Sequence, residues 1–270
     1  MAKTSDADRH TYFEKVREYT SAAKALLKTE KDIMQETRKN PAAAPMLKLN
    51  LADDMLNLTS NYIAVNGVSL AVLKAKNEEA LNDARKSLYK AIIYVEEVVS
   101  NYVDVPFSDY DEKLAAIEEY DENRRYQLIL KTGFTVDLLE HAYGDNSKWR
   151  WAFVEMEGRL ATVAKNLLDL RNAINNSSPE SPYYDSTVYH LRLAKKLLSQ
   201  SADRYREKYE LSNGQMSDFK IGINFLGALR RLHIVLAESE EAEVVKKKQV
   251  IWSAKLDTDM KKREEDKKRL

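Results

Sequence analysis

At 270 residues the chain is long enough for one large domain or two small ones. Lys+Arg and Asp+Glu balance at 43 each, which excludes a global field that would attract nucleic acid or an anionic membrane. With no cysteine, disulfides, thiolate catalysis and Cys-based zinc or iron–sulfur sites are excluded as well.

The chain has 7 Gly and 5 Pro, where average usage gives roughly 19 and about 13. So few breakers, with 32% charged residues, predict long helices. The opening MAKTSDADRH has no apolar signal core, and no apolar run reaches the length of a transmembrane span. The expectation is a soluble, cytoplasmic protein that does not insert into a membrane.

Ser5-Asp6-Ala7-Asp8 is an N-cap signature. It predicts a first helix to about Arg38, with Tyr12, Val16, Tyr19, Ala23, Leu26 and Ile33 on one face. Asn40-Pro41 to Pro45 breaks the chain. A second helix starts near Met46, with Leu51, Met55, Leu58, Tyr62, Val65 and Val72. Asn77 caps a third helix carrying Leu81, Ala84, Leu88, Ala91, Val95, Val98 and Tyr102, which ends before Pro106.

Ser108-Asp109-Tyr110-Asp111 repeats the cap signature and predicts a fourth helix to about Tyr143, with Gly144 at its C-terminus. Ser147 caps a fifth, read as continuous to Ile174. Its first stripe is Trp149, Phe153, Met156, Leu160, Val163, Leu167, Leu170 and Ile174. A second stripe, Trp151, Val154, Gly158, Ala161 and Leu168, lies roughly opposite and is interrupted by Lys165. A helix apolar on two sides has neighbours on both, so Trp149 and Trp151 are expected to be largely buried.

Ser181-Pro182 opens a sixth helix, which ends at Ser212-Asn213-Gly214. Ser217 caps a seventh. At Ser239-Glu-Glu-Ala242 an eighth begins, or the seventh continues. Asp257 to Leu270, nearly all charged, reads as a frayed or mobile tail.

The expected fold is all-α, a bundle or stacked array of seven to eight long helices, in a single domain over 1–256. Two short similarities suggest a duplicated three-helix unit, 1–105 and 106–211, followed by a helical pair, 212–256. Phe13 to Tyr19 resembles Leu114 to Tyr120, and Ser87-Leu88-Tyr89 resembles Thr187-Val188-Tyr189. Gly67, Gly133, Gly158, Gly222 and Gly227 fall inside helices, which points to close helix crossings or to a groove that a partner approaches.

Chemistry is sparse. No histidine follows a Glu by three residues, so the carboxylate-bridged metal motif of helical bundles is absent. Asp6, His10 and Glu14 share a face, but read as a solvated cluster. His141, His190 and His233 read as helix-end or boundary residues. There is no phosphate loop, calcium loop or serine elbow. No catalytic residue, metal ligand or cofactor is assigned, and the chain is read as a non-enzyme.

Two clusters could recognise something. Arg124-Arg125-Tyr126 could clamp an anion or a phosphopeptide, or its arginines could pair with Asp121 and Glu122 along the helix. The basic residues and tyrosines from Tyr189 to Lys208 read as a solvated face rather than a nucleic-acid surface. Partner contact is placed at Arg124, Arg125, Tyr126 and, if exposed, Trp151. The leading expectation is a scaffold or adaptor that binds a protein or peptide in a groove between helices. The alternatives are a self-assembling dimer or filament, and a small-ligand or metal site within the bundle.

Overall fold

The structure, a computed structural model, describes residues 5–144, 147–212 and 214–269, with side chains to 265. The readings at Met1–Thr4, Asn213 and Leu270 lie outside the described residues. The described chain is all-α, with ten α-helices and no strand. It divides into two compact units: 1–99 with 113–153, and 100–112 with 154–270.

Unit 1 is built on α1 (Asp6–Lys39), α2 (Ala44–Leu73), α3 (Glu78–Val98) and α5 (Glu122–Tyr143). Ser5 and Asp8 form a reciprocal capping box on α1. Asn77 caps α3 by accepting the Ala80 N–H at 2.9 Å. α2 packs against α1, α3 and α5. Leu51, Met55, Leu58, Leu81, Leu88 and Val95 are all buried where the periodicity put them. Charged side chains enter this core too. Glu30 of α1 accepts from Lys90 at 2.8 Å and from the Tyr94 hydroxyl at 2.6 Å, which ties α1 to α3.

Three expected helices are cut short, each by polar side chains that take over backbone groups. α3 ends at Val98, and Tyr102 is exposed outside it. Ser100 Oγ accepts the Tyr102 N–H, while the Asn166 amide donates to the carbonyls of both Ser100 and Tyr102. The fourth helix is three pieces: a 3-10 turn at Phe107–Tyr110, α4 (Asp111–Ala115), and α5 after a turn. Asp121 caps α5 by accepting the Arg124 N–H at 2.8 Å. The fifth helix is α6 (Arg150–Asn166) and α7 (Leu170–Asn175), split where Asp169 caps α7.

Within α6 the two-stripe reading holds from Phe153 to Leu167. Phe153, Met156, Leu160 and Val163 are buried on one stripe, and Val154 and Ala161 on the other. It fails at the start. Trp149 lies in the turn before α6, and Trp149 and Trp151 are both half-buried rather than closed in. The Arg85 guanidinium covers the Trp149 ring at 4.1 Å, and that of Arg150 covers Trp151 at 4.8 Å.

Unit 2 holds residues 154–166 of α6, with α7, α8 (Tyr184–Leu211), α9 (Met216–Val235) and α10 (Ser239–Arg269). α9 packs against both α8 and α10. The break between α9 and α10 is real. Ala237 takes a left-handed conformation (φ 57°), and the Glu238 and Ala237 N–H groups bond back to His233 and Ile234. The expected tail is helical to Arg269, and its first turns are held. The Tyr209 hydroxyl donates to Asp259 at 2.7 Å, and Arg263 donates to the Gly214 carbonyl.

The similarity between Phe13–Tyr19 and Leu114–Tyr120 joins unlike structures, a mid-helix stretch of α1 and a segment that leaves α4 for a turn. The glycines divide too. A methyl at Gly158, Gly222 or Gly227 would meet neighbouring atoms at 2.7–3.0 Å, whereas Gly67 is exposed with nothing within 4 Å. Gly67→Ala should therefore stabilise the protein by about 1 kcal/mol, since only helix propensity changes. Urea denaturation checks this, and a loss of stability would show that the position does more than extend α2.

Candidate functional site

Two features stand out, one in each unit. In unit 1, α5 carries two apolar rows. Leu128, Ile129, Val136 and Leu139 point into the core. Leu130, Phe134 and Leu138, four residues apart, stay exposed at 43%, 62% and 38%. The first two line a groove of about 680 Å³, together with Asp53, Tyr120, Arg124 and Gln127, and Leu138 continues the exposed row one turn further along α5. Lys131 bridges from α5 to α2, donating to Asp53 at 2.6 Å and Asn57 at 2.9 Å. On α2, Asp53, Asn57, Ser60, Ala64 and Gly67 follow at alternating steps of four and three, so one face of α2 here is lined by small and polar side chains.

Arg124 lines this groove with its guanidinium stacked on Tyr120 at 4.3 Å. Burial pushes the Tyr120 hydroxyl's pKa up, against the pull of the Arg124 charge. The neighbouring arginine does something else. Arg125 is buried, and donates from Nε to the Tyr120 carbonyl (2.6 Å) and from Nη2 to that of Ile117 (3.1 Å). Expected on a partner-binding surface, it lies inside and bonds two carbonyls of the turn before α5. Tyr126 is half-buried, and neither it nor Trp151 lines the groove. Of the four residues proposed from sequence, only Arg124 belongs to it.

In unit 2, Lys165 is fully buried, which its place in an apolar stripe foreshadowed. Its Nζ donates to the Tyr110 hydroxyl at 2.6 Å, and lies 4.9 Å from the centre of the Phe107 ring and 5.1 Å from that of Tyr110. Burial lowers the Lys165 pKa to about 8, with Asp104 opposing and Arg231 reinforcing the shift. Asp104 in turn accepts from Arg231 Nε at 3.0 Å. Burial pushes the Tyr110 hydroxyl up. Segment 100–112 is thus fastened by Lys165 and Asn166 of α6, by Arg231 of α9, and by Arg171 of α7, which bonds Asp111.

Two histidines have structural partners. His190 Nε2 lies 2.9 Å from the Ala164 carbonyl, and His233 Nδ1 lies 2.6 Å from Glu238. Among the described residues no helix is long and apolar enough to cross a membrane.

The signals for the residues missed were present but faint. A count of the second row on α5, as for α6, would have found Leu130, Phe134 and Leu138. Lys165 registered only as an interruption. A family model described as the TP0443 family matches residues 8–260. No curated protein and no solved structure matches the chain.

Proposed function

The chain belongs to the TP0443 family, and we propose that it acts as a non-enzymatic helical adaptor that docks an amphipathic helix of a partner protein along the groove between α2 and α5. The observation that carries this reading is the exposed row Leu130, Phe134 and Leu138, at the spacing one helix presents to another. The small side chains of α2 beside it let a partner backbone come close. Arg124 at the groove's end favours a carboxylate on the partner. The balanced charge argues against nucleic acid, and the cysteine-free composition fits a cytoplasmic setting.

The test places a photocrosslinking amino acid at Leu138 in the full chain, expressed in its native cell. One discrete adduct is expected, absent when the probe stands at exposed Gln200 and lost on Phe134→Asp without loss of folded protein. The same adducts at both positions, or an adduct indifferent to Phe134→Asp, would sink the reading.

A further inference from the structure

Helix α10 is long, and one of its faces is already used. Ala242, Trp252 and Leu256 are buried, with Trp252 tilted against Phe219 of α9 at 5.6 Å. Among the described residues the opposite face is open to solvent, yet carries Val244 and Ile251, both 67% exposed, and Val250 at 61%. Val244, Lys247, Ile251, Ala254, Thr258 and Lys261 follow one another at alternating steps of three and four, which makes a narrow seam along this exposed face. Two rows of charge flank it. On one side stand Glu243, Asp257 and Glu264, with Val250 completing the seven-residue period. On the other stand Lys248, Lys255 and Lys262.

We propose that this face of α10 is a self-association surface, on which a second copy of the chain packs its own α10 in parallel and in register. The argument is charge complementarity. In a parallel pair, each residue of the first flanking row meets the residue five positions later in the partner's second row. That brings Glu243 against Lys248 and Asp257 against Lys262, with Val250 lying along the Lys255 stem. An antiparallel pair would set the lysine row against a lysine row and the acidic row against an acidic row, so the pattern selects the parallel arrangement.

The lysines are not idle in the single chain. Lys248 pairs with Asp203 at 2.7 Å, Lys255 with Asp259 at 2.6 Å, and Glu243 pairs with Lys246 at 3.1 Å. These are surface pairs, which exchange partners at little cost. The seam is short, and lysine at two of its inner positions weakens it, so the dimer is concentration-dependent. The surface is independent of the α2/α5 groove, and either can fail without the other.

Sedimentation equilibrium of the full chain, from micromolar to submillimolar, tests the proposal. The average mass should climb from monomer toward dimer, and Ile251→Lys should hold it at monomer. Lys248→Glu/Lys255→Glu/Lys262→Glu should be monomeric alone, and so should Glu243→Lys/Asp257→Lys/Glu264→Lys. Mixed, the two should recover the dimer. Because the chain has no cysteine, Ile251→Cys should also form a disulfide-linked dimer on mild oxidation, with Gln200→Cys as the unreactive control. A monomer at every concentration would overturn the proposal. So would association that survives Ile251→Lys, or failure of the mixed variants to recover it.

Discussion

The double variant Lys165→Met/Tyr110→Phe should be more stable than the parent at neutral pH, by about 1–3 kcal/mol. Lys165 has 0% exposure, so its ammonium has given up hydration. One tyrosine hydroxyl and two ring faces replace that hydration, and the nearest favourable charge, Asp104, is already engaged by Arg231. Methionine fills similar space without charge. Changing Tyr110 as well avoids leaving its buried hydroxyl unpaired, which alone costs about 1–3 kcal/mol.

The same lysine fixes the sign of a pH effect. Its pKa falls from 10.5 in a free side chain to about 8 in the folded protein. Between those values the unfolded chain binds a proton that the folded chain has released, so stability rises with pH across that window. Below pH 8 both states are protonated and the contribution is flat. Above about pH 10 the buried tyrosines act in the opposite sense. Tyr110 and Tyr94 hold their protons in the fold beyond the usual value, and stability falls as pH climbs past it. Urea midpoints should therefore stay nearly level between about pH 7 and 8 and rise by about pH 9.5 for the parent, and stay level throughout for the double variant. A double variant less stable than the parent, or a level parent, would contradict the account.

Gly158→Val should destabilise unit 2 by about 3 kcal/mol. A Cβ at this position would lie 2.7 Å from Tyr205 Cε2 and 3.2 Å from Phe225 Cζ. Neither ring has room to retreat, since both are buried and stacked with centroids 5.7 Å apart. Gly158→Ala should cost less, because about 1 kcal/mol of helix propensity offsets part of the overlap. Amide exchange along α8 and α9 reports the loss where it occurs. A valine variant within about 0.5 kcal/mol of the parent would mean that the rings yield more freely than their packing implies.

Regular helix was legible in the sequence wherever periodicity and capping agreed. Ser5 and Asn77 cap the helices they were expected to cap, and most of the α2 and α3 stripes is buried, with Tyr62 and Val72 half-buried and Tyr102 exposed beyond the end of α3. The interruptions were not legible. Asp169 is an N-cap inside a stretch whose apolar spacing continues past it, and Asp121 is one inside a polar run, where an acidic residue looks like solvated surface. What makes those breaks tolerable is distant or buried: Arg125 folded back on two carbonyls, and Asn166 reaching residues far earlier in the chain. The arginine pair shows the limit of local reading most plainly. Arg124 and Arg125 are neighbours of one type, yet one lines a groove and the other is interior. A side chain's direction at a helix start depends on the turn before it, which periodicity does not encode.

The fastening of segment 100–112 also has a consequence for the order in which the protein matures. Tyr110, Ser100 and Asp104 find their partners 55, 66 and 127 residues away, all of them later in the chain. A ribosome thus delivers this segment long before anything exists to receive it, and Phe107 and Tyr110 wait in water until α6 has emerged. Unit 1, interrupted by the same segment, is complete only when Phe153 has been made. Loops that close over such separations form slowly. The segment is therefore a late step of biogenesis, with two aromatic rings exposed while it waits.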